Sequence, residues 1–513
     1  MTNEEQRELA IKEIIDNLDS VNSKEELEKL KYKVCRKYKV PLMLNADILS
    51  RIKNPSDKVK ELLTTKPIRS LSGVSVVAVM TKPFPCPHGK CVMCPQGKNA
   101  PQSYTGKEPA TMRAIGANYD PTLQVKNRIR QLELTGHPTD KIEVIVMGGT
   151  FTSMPRDYTT NFVKGIFDGL NGVKARTLEE AHMLNEESKH RCVGLTIETR
   201  PDYCFEDDIR YILSLGATRV EIGVQSTFDD VLKKIKRGHT VQDSIKATQL
   251  LKDSSYKINY HMMTGLPGSN PKKDLESFKT IFQDQRFKPD MIKIYPTMVI
   301  KGTELYDMWK RGEYEPYSQE TLINLLADIK RITPRWVRIM RIQRDIPLNQ
   351  AEAGVLKGNI REILKTKVKC NCIRCREVGH KDLKLVKGLK PKLFVEEYRA
   401  SNSKEFFISF ESEDQEVLFG FIRLRIPYKP FMEQITKTTG LIRELHVYGK
   451  EASLGKEGYV QHKGLGRELL EEAESIAKSE GMDKMVIISG VGVRPYFKKL
   501  GYRRDGPYMS KSL

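Results

Sequence analysis

Cys86, Cys91 and Cys94 fall within nine residues, CPHGKCVMC, in a chain of 513 residues that holds nine cysteines. A structural zinc ion wants four closed ligands, and His88 is the one nearby candidate for a fourth. A [4Fe–4S] cluster held by three thiolates leaves one iron open to a substrate or cofactor, and the C-x4-C-x2-C spacing favours that reading. A second triplet, Cys370, Cys372 and Cys375, lies in CNCIRCREVGH. With His380 it makes a three-Cys, one-His set suited to structural zinc. Six of nine cysteines in two tight triplets speak for metal ligation and against a disulfide scaffold.

Further along, QHKGLGR supplies Gln461, His462, Lys463, Gly464, Leu465, Gly466 and Arg467 just before a strongly helical stretch. A Q-x-x-G-x-G pattern at a helix start lets backbone N–H groups and the positive helix end hold a pyrophosphate. Glu444 and His446 alternate onto one face of a predicted strand. They are candidate general bases or, equally, a surface pair. Lys293 and Tyr295 share a face near another strand end, either as substrate contacts or as an ordinary polar pair.

These residues need a frame. Residues 1–70 read as a small, basic helical region. From about 74 to 300 six nearly continuous apolar strands alternate with helices: 74–80, 141–149, 191–199, 219–226, 257–265 and 290–299. That pattern predicts a parallel sheet, open or curled into a partial barrel, with ligands at the C-terminal strand ends. The first strand runs into the Cys86 triplet, the second ends in MGGTF, the third in IETRPD, the fourth in GVQS and the fifth in TGLPG. One large site is expected there. Residues 71–310 form this unit, 311–392 a basic linker, and 393–513 a separate α+β domain.

The formal net charge is +20. Residues 29–70 and 357–392 each carry 12 Lys/Arg against 3 Asp/Glu, and 330–347 carries six basic residues and one acid. Clustered positive charge favours a polyanionic partner, most simply a nucleic acid; a solvated lysine-rich surface is the alternative. The opening MTNEEQREL is acidic and polar, so no signal peptide is expected. No apolar run approaches the ~20 residues of a membrane span. A cytoplasmic protein is expected.

The cysteine triplet, the strand order and MGGTF resemble the radical SAM superfamily, in which the open iron binds S-adenosylmethionine and generates a 5′-deoxyadenosyl radical. That resemblance implies that Gly148, Gly149 and Thr150 approach the methionine amino group. It implies ribose or carboxylate contacts for Glu198, Arg200 and Gln225, although a local ion pair would equally suit Glu198 and Arg200. Met93 departs from the usual aromatic residue before the last cysteine. The C-terminal segment, with VGVRPYFKKLGY, resembles GNAT acetyltransferases, which implies acetyl-CoA binding at 461–467 and places Tyr496 beside the thioester.

The combination resembles the catalytic subunit of Elongator in its stand-alone archaeal form, from about residue 70 to the end. The fold so implied is α/β: a radical SAM partial (βα)6 barrel followed by an α+β GNAT domain. The implied activity forms 5-carboxymethyluridine at the wobble position of tRNA. Its cofactors would be a [4Fe–4S] cluster, S-adenosylmethionine, acetyl-CoA and Zn2+. The basic regions would clamp the anticodon stem-loop, and Lys293 and Tyr295 would meet the uridine. Self-association and accessory subunits stay open. Two motifs depart from the family pattern: PQG after the triplet, and Phe497. A protein lysine acetyltransferase with a merely structural iron–sulfur domain is the alternative.

Overall fold

The computed structural model describes residues 2–65, 73–355, 357–381, 386, 388–448 and 464–513. The N-terminal region is helical. Thr2 and Glu5 close a capping box on helix Asn3–Asp16, and Ser23 caps Lys24–Lys37. Ala10, Ile11, Ile14, Leu27, Val34 and Cys35 close a small core between these helices. Cys35 is therefore a packing residue, separate from both triplets.

The central sheet is wholly parallel and runs in chain order. Its strands are β1 (Ser75–Met80), β2 (Lys141–Met147), β3 (Arg191–Thr199), β4 (Arg219–Gln225), β5 (Lys257–Thr264), β6 (Met291–Pro296) and β7 (Arg338–Ile342). Apolar positions such as Val144, Val146, Ile222 and Ile292 pack against the covering helices in the main core. The alternate positions carry Glu143, Glu198, Glu221, His261 and Lys293. The six expected strands are present within three residues at either end. β7 is an addition, so the sheet continues past 310, into the stretch assigned to the linker. Its sequence, RIMRI, reads as basic, yet its arginines are structural: Arg338 pairs with Glu377, Arg341 with Asp345. The neighbouring Arg335 pairs with Glu411, and Arg344 donates to Ser103. The 330–347 stretch is thus a folded sheet edge, several of whose cations are paired within the protein.

The C-terminal sheet holds β8 (Lys392–Ala400), β9 (Ser403–Glu411), β10 (Leu418–Arg425), β11 (Thr439–Val447), β12 (Lys484–Ile487), β13 (Arg503–Asp505) and β14 (Tyr508–Ser512), ordered β8-β9-β10-β11-β12-β14-β13. All neighbours are antiparallel except β11 and β12. Those two pair only from Thr439 to Ile442, leaving the edge of residues 444–447 open beyond that point. Helix Leu465–Ser479 packs its Leu469, Leu470, Ala473 and Ala477 face on this sheet.

The two sheets are joined tightly. Gly490 and Gly492 lie on the start of β3, where a Cβ at either would collide with Val193 or Arg191. A buried ion cluster crosses the junction: Lys252 and Asp253 follow from the barrel, and Glu405, Arg425 and Arg443 from the C-terminal sheet. Arg443 is the extra residue of a bulge in β11 and reaches Asp290 at the start of β6, 2.7 Å away. Among the described residues no helix is long and apolar enough to cross a membrane.

Candidate active site

A cavity opens at the C-terminal mouth of the barrel. Cys86, Cys91, Cys94, Gly149, Thr150, Glu198, Arg200, Gln225, Lys293 and Tyr295 all line it. Residues expected from separate motifs therefore share one site. The thiols carry donors: His88 Nε2 lies 3.1 Å from Cys91 Sγ, and Gln102 Nε2 donates to Cys94 Sγ at 3.2 Å. Burial, with help from Arg200 and Arg237, lowers His88 to about 4.

The thiols of the two triplets are spread differently. One zinc ion holds thiolates at ~2.3 Å and so draws their sulfurs to within about 4 Å of one another. Cys370, Cys372 and Cys375 have that closeness, all within 4.8 Å; among the described residues Cys86, Cys91 and Cys94 do not. A wider thiolate cradle suits a cluster, whose irons each take a different ligand.

Gly148 and Gly149 have φ of +125° and +109°, backbone that only glycine adopts without strain. A Cβ at Gly148 would strike Thr81, whereas one at Gly149 meets nothing within 4 Å. Gly148 is packed behind the cavity and Gly149 faces it. Gln225 is a non-glycine at φ +67°, and its Oε1 is buried without a partner. A strained residue with an unused acceptor at a cavity wall fits a ligand contact. Arg200 differs from that expectation. Its guanidinium donates to Asp202 at 2.9 and 2.6 Å and to the Arg237 carbonyl at 2.8 Å, so it builds the wall.

At the cavity floor lies a charged column. Lys293 contacts Glu221 closely and Glu198 at 3.4 Å, while His261 Nε2 lies 2.7 Å from Glu221. Burial opposes the Lys293 charge, but Glu221, Tyr295 and Glu198 outweigh it and hold the ammonium above its ordinary range. Tyr295 meets the His261 ring edge-on at 5.4 Å. Glu221, His261, Gln102 and Arg237 were not singled out from the sequence. Glu221 and His261 sit at alternate positions of strands that otherwise read as apolar, and that interruption was their signal.

A second cavity opens between the N-terminal ends of the barrel strands and the C-terminal domain. Glu444, His446, Tyr496, Gly464, Leu465, Gly466 and Arg467 line it. Gly464, at φ +84°, starts helix Leu465–Ser479, and a Cβ at Gly466 would lie 3.1 Å from the Tyr496 hydroxyl. This glycine-lined helix start beside a tyrosine can accept a pyrophosphate and its arm. Gln461, His462 and Lys463 lie outside the described residues. Glu444 is tied to Arg423 at 2.9 Å; burial opposes its charge, but Arg423 and Lys257 hold the carboxyl below the usual range. Burial lowers His446, so its imidazole is neutral near pH 7. Of the two, His446 is the stronger candidate to accept a proton.

The second triplet lies beside this cavity. His380, expected as the fourth zinc ligand, is turned away: its Nε2 lies 2.7 Å from Glu377 and it lines the lower cavity, outside the cysteine group. The short turn Val378–His380 holds the ring there.

Comparison with known proteins covers almost the whole chain. The ELP3 N-terminal domain matches residues 7–71, the Radical SAM superfamily 83–281, the Radical_SAM C-terminal domain 289–369 and the Acetyltransferase (GNAT) family 380–502. A tRNA uridine(34) acetyltransferase of Methanocaldococcus jannaschii is 51% identical, covering 98% of this chain and 97% of that protein. Elongator complex protein 3 of Drosophila melanogaster is 42% identical, covering 100% and 98%. The solved structure of the archaeal Methanocaldococcus infernus Elp3 lacking residues 1–46 superposes with a TM-score of 0.77 at 48% identity, covering 86% of this chain and 100% of that one.

Proposed function

The chain belongs to the family of Elongator complex protein 3 and the tRNA uridine(34) acetyltransferases, and from that premise we propose that it uses acetyl-CoA and S-adenosylmethionine to form 5-carboxymethyluridine at the wobble position of tRNA. One observation carries the reading: a thiolate-lined cavity and a glycine-lined acyl cleft sit at opposite ends of one barrel.

Cys86, Cys91 and Cys94 would hold a [4Fe–4S] cluster, and S-adenosylmethionine at its open iron supplies a carbon radical on reduction. Gly149 lets the backbone come close to that cofactor, with Thr150 and the unused Gln225 oxygen beside it. Met93, 8% exposed on the cavity wall, offers an adaptable apolar surface. The Glu221–Lys293 pair keeps a cation and Tyr295 at the floor, where they would meet an extruded loop uridine. At the other end, Gly464 and Gly466 would receive the pyrophosphate of acetyl-CoA, Tyr496 would lie beside the thioester, and a His446 ring nitrogen would accept the proton of attacking water.

The exposed basic helices within residues 29–65 would track the anticodon stem-loop phosphates, with salt-sensitive affinity. Cys370, Cys372 and Cys375 would hold a structural zinc whose fourth ligand is a group other than His380. A tRNA substrate suits a cytoplasmic site of action. A protein lysine acetyltransferase is the weaker reading. Lys141, Thr218, Lys257 and Arg338 from the barrel roof the lower cavity, where a peptide lysine would have to enter.

The test is anaerobic reconstitution with tRNA, acetyl-CoA, S-adenosylmethionine and dithionite, followed by mass spectrometry of the digested nucleosides. Carboxymethyluridine that requires both small molecules, and that disappears in Cys91→Ala, is the expected result. Acetylation of a lysine peptide with no modified uridine would overturn the reading.

A further inference from the structure

The sheet register sets three polar side chains of the upper cavity in one row. His261 on β5 lies opposite Lys293 on β6, and Lys293 lies opposite Arg341 on β7. Neighbouring strands are ~4.8 Å apart, so adjacent members of the row can meet the edge of one planar ring. All three line the cavity, beside Tyr295.

Two members of the row are cations and can only donate. Lys293 pairs with Glu221 and Glu198, and Arg341 pairs with Asp345. An ammonium has three N–H groups, so two carboxylates leave Lys293 one to give. His261 is different. Burial opposes the charge of Glu221, but Lys293, His261 and Arg219 outweigh it and hold that carboxyl well below the usual carboxylate range. An ionised carboxylate only accepts, so the His261 Nε2 that lies 2.7 Å from Glu221 is the nitrogen that carries hydrogen. The neutral ring then keeps an unshared pair on Nδ1. That atom has no partner among the described residues, and the ring, 15% exposed, lines the cavity. One acceptor therefore stands at the end of a row of donors, its tautomer fixed from behind by a buried carboxylate.

Such a row discriminates between pyrimidines. Uracil carries N3–H between two carbonyl oxygens, a donor flanked by acceptors. Cytosine has a bare N3 and an amino group in place of one oxygen. An acceptor beside a donor fits the N3–H and a carbonyl of uracil. Against cytosine it sets one lone pair on another. A site built to hydrogen-bond one group rejects its analogue strongly, because its own polar groups are left unpaired. We propose that His261 reads the N3–H of the target uracil through Nδ1, with Lys293 on the adjacent carbonyl oxygen, and so excludes cytosine from the upper cavity. The inference rests on the function proposed above and deepens it by naming the residue that selects the base. His261 acts by contact with the base, and Glu221 is the positioning residue that holds its tautomer.

The experiment uses the reconstituted holoenzyme with S-adenosylmethionine and two anticodon stem-loops, identical except for uridine or cytidine at the wobble base. Affinities are measured by fluorescence anisotropy at one fixed salt concentration, because the phosphate contribution is common to both. The wild type should bind the uridine stem-loop at least tenfold more tightly. His261→Phe keeps a ring and removes the acceptor, and its two affinities should agree within threefold. His261→Asn puts an amide there that can turn either its oxygen or its N–H to the base, so its preference should also fall below threefold. A merely structural role for His261 would weaken both stem-loops in step and leave their ratio unchanged. Equal wild-type affinities, or a wild-type preference kept in either variant, would overturn the assignment. A wild type that selects uridine through His261 yet forms no carboxymethyluridine would instead count against the proposed function and leave the base contact standing.

Discussion

Glu405 offers the sharpest test of how the two halves are held. It is 1% exposed, on β9, and accepts from Lys252 at 2.9 and 3.1 Å, Arg425 at 3.1 Å, Arg443 at 3.3 Å and the Tyr398 hydroxyl at 2.9 Å. Lys252 belongs to the barrel; the other partners belong to the C-terminal domain. Glu405→Gln keeps the shape, removes the charge and turns an amide N–H toward three cations. Removing one partner of a buried ion network costs about 3–5 kcal/mol. At about 2.1 cal/mol/K per residue, a chain of this length unfolds with an entropy near 1.1 kcal/mol/K. If the chain melts as one unit, the expected fall in Tm is then about 3–5 °C. A control removes an exposed pair: Arg51 and Glu8 lie 2.6 Å apart with side chains 46% and 50% exposed. Arg51→Ala should shift Tm by less than about 1 °C. Scanning calorimetry on both variants decides the matter, and equal shifts would refute the clamp. The pH dependence gives a second check. Burial lowers Lys252 to about 8, below its unfolded value of about 10.4, so the unfolded chain binds more protons between those values and stability rises with pH there. Without Glu405, Lys252 falls further, and this rise should begin at lower pH.

Two other expectations follow from single sites. Gly149→Ala places a side chain at φ +109° where nothing lies within 4 Å, so the change is backbone strain of about 1–3 kcal/mol beside the cofactor. Deoxyadenosine release should fall more than tenfold with a Tm loss under about 3 °C; a wild-type release rate would refute the close approach. Glu377 is buried, which opposes its charge, but Arg338 and His380 hold its carboxyl at about 2, well below an unfolded value near 4.3. Its stabilisation is complete above the unfolded value and is lost as pH falls through about 2. Glu377→Gln should therefore flatten the acid limb of the stability curve between those values, and an unchanged limb would count against the pair.

The expected strands were legible because each is a nearly unbroken apolar run, as a strand covered on both faces must be. β7 was not, because RIMRI alternates arginine with apolar residues and its cations look like surface charge until Glu377 and Asp345 are brought beside them. Short β13 and β14, RRD and YMSKS, are too brief and too polar to give a run to read. The upper site was legible from strand-end motifs, since spacing fixes cysteines and glycines locally. Glu221 and His261 were not, because their meaning depends on partners that only the closed sheet supplies: Lys293, 72 positions from Glu221, and Glu221 itself, 40 positions from His261. His380 shows the converse case. Its closeness in sequence to Cys375 suggested shared ligation, but a turn of three residues points the ring toward Glu377.

The clamp constrains how chemistry at one end can reach the other. Had the junction been a few exposed ion pairs, the C-terminal domain could swing and carry its acyl group around the barrel to the upper mouth. A fully buried cluster, with Gly490 and Gly492 seated against β3, makes such a swing expensive. The two cavities lie a short distance apart along the barrel. Residues two apart on a strand are separated by about 7 Å, and four apart by about 13 Å. Arg219 to Glu221 is the first spacing, and Glu143 to Met147, which line the lower and upper cavities, is the second. The two cavities are thus held at a fixed, short separation by the strands they share.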